Sequence, residues 1–280
     1  MGLFYVLNFV PIFIKYIFMK LNLYQIDAFT SRIFGGNPAC VVPLDNWLED
    51  NLLLNIAKEN AVAETAFFVI NEDRINLRWF TSEIEMDLCG HATLAAAHCL
   101  SKILKHKQDS FTFETLSGDL VVNMEEDFYS MDFPSRMPVE RKLPINIEKA
   151  LNIQPKEVLK SRDFVLVYDN ETAIRNIKID REFFDETNLG TGGVIVTAKG
   201  DNCDFVSRFF TPQSAILEDP VTGSAHCSLI PYWSKKLNKN EMFAKQVSNR
   251  VGELYCIDKG NRVIIKGQAK TYSVGSLWTE

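Results

Sequence analysis

Small and apolar residues fill positions 92–104 almost without interruption, and this pattern predicts a helix that is buried on all sides. Gly90 and His91 precede this stretch and mark the predicted helix start, directly after the strand-like residues 76–81. Backbone N–H groups at a helix start can bind an anion, and a glycine there lets a ligand approach the backbone. Taken alone, the stretch is more simply explained as a core helix with an ordinary glycine entry.

The spacing of apolar residues elsewhere predicts a chain that mixes strands with a few helices. Predicted strands occupy residues 21–29, 39–43, 66–70, 76–81, 110–114, 118–124, 128–133, 164–168, 193–198, 205–211, 252–257, 262–267 and 269–275. Helical spacing is found at residues 47–59, 147–151 and 224–237, and Pro231 is expected to kink or interrupt the last of these helices. Three prolines fall within residues 134–144, which are predicted to link two domains.

A recurring motif predicts an internal duplication. Arg-Trp-Phe-Thr at residues 78–81 returns as Arg-Phe-Phe-Thr at 208–211, and each copy precedes an acidic stretch and a glycine, Gly90 or Gly223, that opens a small-residue helix. A period of about 130 residues is too long for a solenoid repeat and suits one small domain. Two related halves would bring two helix starts to a shared cleft, which is a common kind of ligand site.

The domain boundaries follow from the link and the duplication. Residues 19–135 form the predicted N-terminal half and residues 136–280 the C-terminal half, with the strand near 270–280 able to pack back onto the first half. Residues 1–18 are strongly apolar and are predicted to lie outside the fold, so a chain that starts at Met19 should fold. They lack the positive start and small-residue cleavage site of a signal peptide. A weak membrane anchor is the alternative, although polar residues and a proline interrupt the apolar run.

Composition narrows the class of protein. The chain has 280 residues, 46% of them hydrophobic, which suits two modest globular domains. Its net charge of −6 argues against nucleic acid or an anionic membrane surface as the partner. Six scattered cysteines without a C-x-x-C motif are typical of reduced thiols in a cytoplasmic protein.

Glu64 and His91 are the candidates for proton chemistry. Glu64 is the only charged residue in the apolar stretch 61–70, where a desolvated carboxyl could hold or deliver a proton near neutral pH. A glutamate that points to solvent at the end of an element is the alternative. His91 could donate to a substrate oxygen or shuttle a proton, and a histidine bonded to the backbone at a helix start is its alternative.

Asp219 and Ser224 lie around the second predicted helix start. Together with Thr222 they offer more capping groups than one helix needs. Ser224 and the N–H groups beside it could therefore cradle a carboxylate.

Two other site classes fit the sequence less well. The spacing of Cys89, His91, His98 and Cys99 matches no usual zinc pattern, and most of these residues would point to different helix faces, so no metal is expected. A Ser-His-Asp hydrolase could use Ser224 and Asp219, but no G-x-S-x-G elbow is present.

Four motifs in order give the chain a family resemblance. They are Gln-Ile-Asp-Ala-Phe-Thr…Gly-Asn-Pro-Ala within residues 25–39, Ala-Glu-Thr-Ala-Phe-Phe at 63–68, Asp-Leu-Cys-Gly-His-Ala-Thr at 87–93 and Glu-Asp-Pro-Val-Thr-Gly-Ser-Ala-His at 218–226. From about Lys20 to the C-terminus the chain resembles the phenazine-biosynthesis (PhzF-like) isomerases of the diaminopimelate-epimerase-like superfamily. The resemblance implies an α+β fold of two pseudo-symmetric domains, each a curved sheet around a central helix. It also implies an isomerase without a cofactor, usually a homodimer.

The resemblance also implies roles for individual residues. Glu64 matches the family's catalytic glutamate, which takes and returns a proton, while His91, Asp219 and Ser224 match residues that hold and polarise the substrate. The substrate-binding positions that it implies are Gly90, Gly223, Ala225, Asn37 and Asp27.

The related racemases use two cysteines, one from each half. Here Cys89 stands beside the first helix start, but no cysteine precedes Gly223, and Cys227 lies within the predicted second helix. A two-thiol racemase is therefore disfavoured, and Cys89 is expected to serve in packing.

The sequence thus predicts a cytoplasmic isomerase that moves a carbon-bound proton on a small-molecule carboxylate, with no partner among nucleic acids or membranes. The alternative is a member of the same fold that binds a metabolite without turning it over.

Overall fold

The computed structural model describes residues 18–72 and 74–279. The predicted extension at residues 1–18 lies outside this part of the chain except for its last residue. The helices are α1 (Asp50–Asn60), α2 (Gly90–His98), α3 (Ile145–Ala150), α4 (Glu171–Asn176), α5 (Arg181–Phe184) and α6 (Gly223–Leu237). The strands are β1 (Met19–Ala28), β2 (Asn37–Leu44), β3 (Glu64–Asn71), β4 (Arg74–Phe80), β5 (Glu85–Met86), β6 (Ser110–Thr115), β7 (Gly118–Glu125), β8 (Phe128–Pro134), β9 (Val139–Glu140), β10 (Glu157–Lys160), β11 (Phe164–Val167), β12 (Val194–Lys199), β13 (Phe205–Phe210), β14 (Glu218–Asp219), β15 (Glu241–Gln246), β16 (Gly252–Asp258), β17 (Arg262–Gly267) and β18 (Ala269–Thr279).

Two halves of the chain repeat the same series of strand pairings. In the first half, seven strands pair in the order β1, β2, β3, β4, β6, β7, β8. The six successive pairings are antiparallel, parallel, antiparallel, parallel, antiparallel and antiparallel. In the second half, β10, β11, β12, β13, β15, β16 and β17 repeat that series in the same order. The short strands β5 and β14 pair with β4 and β13. A coincidence of this length is strong support for the duplication inferred from sequence.

The halves meet edge to edge, because β8 pairs antiparallel with β17. The C-terminal strand β18 pairs along the whole of β1, from Met19 opposite Thr279 to Ala28 opposite Ala269. The short strand β9 pairs with β10 in the corresponding place in the second half. The last strand of the chain therefore completes the first half.

The repeated Arg-aromatic-Phe motif makes the same contacts in both halves. Arg78 makes two hydrogen bonds to Glu85, both at 2.7 Å, and its guanidinium lies 5.1 Å from the Phe80 ring centroid. The equivalent Arg208 binds Glu218 at 2.7 and 2.8 Å and stands 4.8 Å from the Phe210 ring. Each motif ties a long strand to the short strand that leads into a central helix.

The central helices begin at the predicted glycines. Every residue of α2 from His91 to His98 is buried, and the helix packs against β1, β2, β3 and β8. It continues as a π-helical turn over Cys99–Ile103, so the predicted helix over residues 92–104 is confirmed with a change of geometry at its end. The second central helix, α6, packs against β15, β16 and β17.

Pro231 does not interrupt the second central helix, because α6 runs continuously from Gly223 to Leu237, and the alternative effect, a kink, stays a prediction. Proline lacks the N–H that would bond the carbonyl four residues earlier, which here belongs to Cys227. The backbone N–H of Arg136 donates to that carbonyl at 2.9 Å and satisfies it from outside the helix.

The remaining differences are elements that the sequence did not reveal. Helices α4 and α5 and strands β9, β10 and β15 are short, and their apolar residues show no clear period. Over residues 18–72 and 74–279, none of the helices combines the length and the apolar character needed to cross a bilayer.

Candidate active site

The two helix starts lie against each other and define a cleft between the halves. A Cβ atom added to Gly90 would stand 3.8 Å from the Cα atom of Gly223, and the reverse distance is also 3.8 Å. The residues before the helices, Cys89 and Thr222, have extended backbone, and neither caps its helix with a side-chain hydrogen bond. Two uncapped helix starts leave N–H groups directed at one place, which favours an anionic ligand.

Glu64 and His91 face each other in this cleft. Glu64 opens β3 beside Ala39 of β2, and its Oε2 atom lies 3.0 Å from Nε2 of His91. Their side chains are 16% and 5% exposed. The two atoms form a close ion-pair contact, but neither makes a hydrogen bond of regular geometry with a described residue. Buried polar atoms are rarely left in this state, so both atoms are available to a ligand or to a shared proton.

The other side of the His91 ring meets one donor and one thiol. Nδ1 lies 3.2 Å from the Asn37 amide nitrogen and 3.6 Å from the Cys89 sulfur. Both protons of that amide are already directed at the Asp219 carboxylate and the Val221 carbonyl, at 2.7 and 3.0 Å, so the contact with Nδ1 does not fix the tautomer of the ring. Burial lowers the pKa of His91, but the neighbouring Cys89 and Glu64 groups raise it by more, so the pKa lies well above its ordinary value.

Asp219 reaches the cleft from the second half and is held on three sides. Its Oδ1 atom accepts a hydrogen bond from the Asn37 amide at 2.7 Å, and its Oδ2 atom accepts one from the Thr222 hydroxyl at 2.5 Å. Its backbone carbonyl accepts from the Gln246 side chain at 2.8 Å. Burial raises the pKa of Asp219 to about 6, against the opposing effect of His91. This carboxyl can therefore exchange a proton close to neutral pH.

Asn37 joins the two halves at the site. Its amide nitrogen also donates to the Val221 carbonyl at 3.0 Å, and the residue is fully buried. The sequence named Asn37 only through the family resemblance. Gln246 was missed, because a glutamine at the end of a distant strand carries no local pattern that points to Asp219.

Ser224 is contacted by an arginine that sequence reasoning also missed. The Arg162 Nη2 atom donates to the Ser224 hydroxyl oxygen at 2.9 Å. Arg162 itself is bound by the buried carboxylate of Asp163 at 3.0 to 3.2 Å. Both residues lie in the turn between β10 and β11, far from Ser224 in the chain.

Asp27 stands one step away from the cleft. Its carboxylate accepts hydrogen bonds from Arg250 at 2.7 Å and from the Phe34 backbone at 2.8 Å. Burial raises the pKa of Asp27, and these two contacts lower it by less. Arg250 also donates to the Gly35 and Gly36 carbonyls. The geometry therefore gives Asp27 a place in the contact between the halves, and its predicted role in substrate binding stays a prediction.

The cysteine and histidine candidates are divided between two places. Only Cys89 and His91 lie in the cleft, whereas His98 bonds Tyr129 and Thr271 at 2.9 Å each. Potential ligand atoms of Glu64, Cys89 and His91 do lie within 4.8 Å of one another. However, the thiol approaches Nδ1 and the carboxylate approaches Nε2, whereas one ring nitrogen serves one ion.

The floor of the cleft is buried and its rim is partly exposed. Asn37, His91, Thr222 and Ala225 are buried. Glu64, Asp219 and Ser224 are partly exposed. A groove of about 610 Å³ lies beside β9 and β10, and none of the predicted site residues lines it.

Comparisons with known proteins agree with this architecture. The profile of the PhzC-PhzF family, described as phenazine biosynthesis-like proteins, matches residues 26–275. An uncharacterized isomerase of Pseudomonas aeruginosa is 47% identical over 260 residues, which cover 92% of this chain and 99% of the relative. The crystal structure of a PhzF-family phenazine biosynthesis protein from Enterococcus faecalis is 44% identical, with a TM-score of 0.88 over 92% of this chain and 99% of that one.

A more distant structure extends the likeness to the epimerase-like fold. A Pseudomonas aeruginosa protein described as a predicted epimerase shares 18% identity and a TM-score of 0.72, over 93% of this chain and 100% of that one. At this identity the likeness concerns the fold alone. Because the family profile matches most of the chain, the chain belongs to the PhzC-PhzF family of phenazine biosynthesis-like proteins, and its fold is the diaminopimelate-epimerase-like fold.

Proposed function

We propose that this protein is a cofactor-independent isomerase that moves a carbon-bound proton on a small carboxylate substrate, with Glu64 as the acid and base. One observation carries the proposal. Oε2 of Glu64 and Nε2 of His91 are buried 3.0 Å apart, neither has a hydrogen-bond partner among the described residues, and they lie where the two helix starts meet. A carboxylate and an imidazole in such a place are suited to taking up and returning a proton.

The reaction conserves atoms and electrons within the substrate and one carboxyl group. Glu64 takes a proton from a carbon, the electron pair of that C–H bond forms a new double bond to the neighbouring carbon, and the π pair of the existing double bond moves to the second carbon. The carboxyl of Glu64 then returns the proton to that second carbon. No electrons enter or leave, so the net change is the position of one hydrogen and one double bond.

The other site residues supply hydrogen bonds as charge develops on the substrate. His91 can donate from Nε2, and Asp219, with a pKa near 6, can donate when protonated. The substrate's carboxylate is assigned to the N–H groups at the helix starts and to Ser224, because these groups favour an anion. The relative described as an uncharacterized isomerase supports the reaction class.

We expect the substrate to enter from the partly exposed rim of the cleft, where Glu64, Asp219 and Ser224 lie. The halves are joined at the site by Asn37 with Asp219 and Val221, and by Arg250 with Asp27, Gly35 and Gly36. Closure over the substrate would exclude water and strengthen the electrostatic contacts within the cleft.

The experiment is hydrogen exchange in deuterated water. The purified protein is incubated with small unsaturated carboxylates, beginning with a dihydro-hydroxyanthranilate, the compound that the phenazine enzyme of the resembled family isomerises. The masses of the recovered compounds are then measured by mass spectrometry. We expect one of them to be isomerised or to gain deuterium at carbon. Tight binding of a carboxylate that gains no deuterium and is recovered unchanged would contradict the proposal and favour a metabolite-binding protein of the same fold.

We also propose that the protein is a cytoplasmic homodimer. All six cysteines are free thiols, which suits a reducing compartment. The dimer rests on the family resemblance. Light scattering on the purified protein and fractionation of cells test the two statements, and a monomer or a membrane-bound protein would contradict them.

A further inference from the structure

The hydrogen bond between Arg162 and Ser224 has a fixed direction. Nη2 of Arg162 donates to Oγ of Ser224 at 2.9 Å. A guanidinium has donors and no acceptor, so the serine oxygen accepts and its own O–H must be directed elsewhere. None of the described residues accepts a hydrogen bond from that hydroxyl. The hydroxyl of Ser224 is therefore held as a donor that awaits a partner.

The arginine is itself held in place by its neighbour. Asp163 has a fully buried side chain and binds Nε and Nη2 of Arg162, and its Oδ1 atom also accepts from the Gly193 N–H at 2.9 Å. A bidentate pair of this kind fixes the plane of the guanidinium. The Nη1 group makes no hydrogen bond to the described residues, and the Arg162 side chain is 30% exposed. It can therefore bind a further acceptor without leaving Asp163.

A second arginine lies beside the same turn of α6. The backbone of Arg136 donates to the Cys227 carbonyl, and its Nη1 atom is buried without a hydrogen-bond partner in the described part of the chain. Burial raises the pKa of the Cys227 thiol to about 11, and the charges of Arg136 and Arg162 both oppose that rise. Arg136 and Arg162 thus bring two positive charges, and Asp163 one negative charge, to the surroundings of Cys227 on α6.

We propose that Arg162 is a positioning residue that turns the Ser224 hydroxyl toward the substrate's carboxylate, which the proposed function assigns to Ser224. One carboxylate oxygen accepts from the serine hydroxyl, and Arg162 acts by holding that hydroxyl in its donating direction. The inference rests on the proposed function, because it assigns one part of that substrate to one side of the cleft. When the carboxylate lies at Ser224, the reacting carbon of the substrate can face Glu64 and His91, which belong to the first half.

The test is a double-mutant cycle with acetate as the probe. Backbone amide resonances are followed as acetate is added to the full chain, with acetamide as the neutral control. We expect acetate, and not acetamide, to shift the amides of Gly223, Ser224 and Ala225. Both Arg162→Gln and Ser224→Ala should weaken acetate binding by roughly tenfold, the effect of losing one hydrogen bond to a charged group.

The cycle distinguishes positioning from a merely structural role. If Arg162 acts through Ser224, the Arg162→Gln change should cost far less affinity in the Ser224→Ala background than in the wild type. An equal cost in both backgrounds overturns the positioning role. Acetate that shifts amides only outside the α6 start, or none at all, overturns the placement of the carboxylate at Ser224 and the positioning role with it.

Two further variants guard against loss of the fold. Arg162→Gln leaves the Asp163 carboxylate buried without its cation, so the same cycle is run with Arg162→Gln/Asp163→Asn, which removes both charges. The surface variant Arg181→Gln breaks a comparable arginine–aspartate pair at 2.7 Å far from the cleft and should leave acetate binding unchanged. Thermal unfolding of each protein is measured beside its affinity.

The outcome can be separated from that of the proposed function. Wild-type deuterium exchange into a substrate, with no acetate shift at the α6 start, overturns the positioning role and leaves the isomerase standing. Acetate binding that depends on Arg162 through Ser224, with no exchange into any carboxylate, supports the positioning role and contradicts the isomerase. Where turnover is measurable, Arg162→Gln should raise KM more than it lowers kcat.

Discussion

Compared with wild type, the Asp219→Asn variant should gain free energy of unfolding as the pH rises, although the substitution damages the proposed site. Burial raises the pKa of Asp219 from its ordinary value of 3.8 to about 6. Between these two values the folded state keeps a proton that the unfolded state has lost, so the free energy of unfolding falls as the pH rises. Asparagine carries no such proton, and its contribution does not change over this window.

The size of the effect follows from the shift. About two pKa units correspond to about 3 kcal/mol at 1.36 kcal/mol per unit. Asp219 is only partly buried as a whole residue, although its carboxylate is enclosed by protein, so solvent screening reduces this to about 2 kcal/mol. The hydrogen bond from Thr222 is lost at every pH, which costs about 1 kcal/mol. We therefore expect Asp219→Asn to be about 1 kcal/mol less stable than wild type at pH 4 and about 1 kcal/mol more stable at pH 8.

Urea unfolding of both proteins between pH 4 and pH 8 measures this difference. The exposed Asp45→Asn variant is the control and should show no comparable change with pH. A stability difference between Asp219→Asn and wild type that stays constant from pH 4 to pH 8 would refute the raised pKa. A difference that grows in favour of wild type with pH would refute the direction of the shift.

Three further substitutions test other parts of the site. Gly223→Ala places a methyl group in the gap before Gly90. Its free energy of unfolding should stay within about 1 kcal/mol of wild type, but it should bind acetate at least tenfold more weakly. The control Gly275→Ala, whose added methyl group meets nothing within 4 Å, should bind acetate as wild type does. Arg250→Gln should lower the free energy of unfolding, measured in urea, by about 3 kcal/mol because it leaves the Asp27 carboxylate buried without its cation. Adding Asp27→Asn should restore much of that loss, and no recovery in the double variant would contradict this. Cys89→Ala should keep deuterium exchange within a few-fold of wild type, because burial raises the pKa of this thiol; abolished exchange would return the cysteine to the chemistry.

Local patterns were enough to predict the frame of the fold. The small-residue runs after Gly90 and Gly223 predicted both central helices, and the structure buries α2 from His91 to His98 and α6 from Ala225 to Ser234. The repeated Arg-aromatic-Phe motif predicted the duplication, and the matching ion pairs of Arg78 and Arg208 explain why that motif occurs twice.

Contacts between distant segments could not be predicted in this way. The Arg162–Asp163 pair and Gln246 reach the site from loops and strand ends, where neither periodicity nor composition marks a partner. Pro231 does not end α6, because the N–H that satisfies the freed carbonyl comes from Arg136, in the link between the halves. In each case the tertiary structure supplies the hydrogen bond that the local rule lacks.

The most direct test of Glu64 as the proton-transferring group compares Glu64→Gln with Glu59→Gln. The first substitution keeps the volume of the side chain in the cleft and removes its exchangeable carboxyl proton, while the second makes the same chemical change at an exposed position at the end of α1. Both are assayed for deuterium incorporation into the substrate, with thermal unfolding and carboxylate binding measured on the same samples. We expect Glu64→Gln to fold and bind the carboxylate but to lose exchange by roughly 10²–10⁴-fold, the range of general acid–base catalysis, and Glu59→Gln to match the wild type. Exchange by Glu64→Gln at the wild-type rate would contradict the assignment and move the proton transfer to His91 or Asp219.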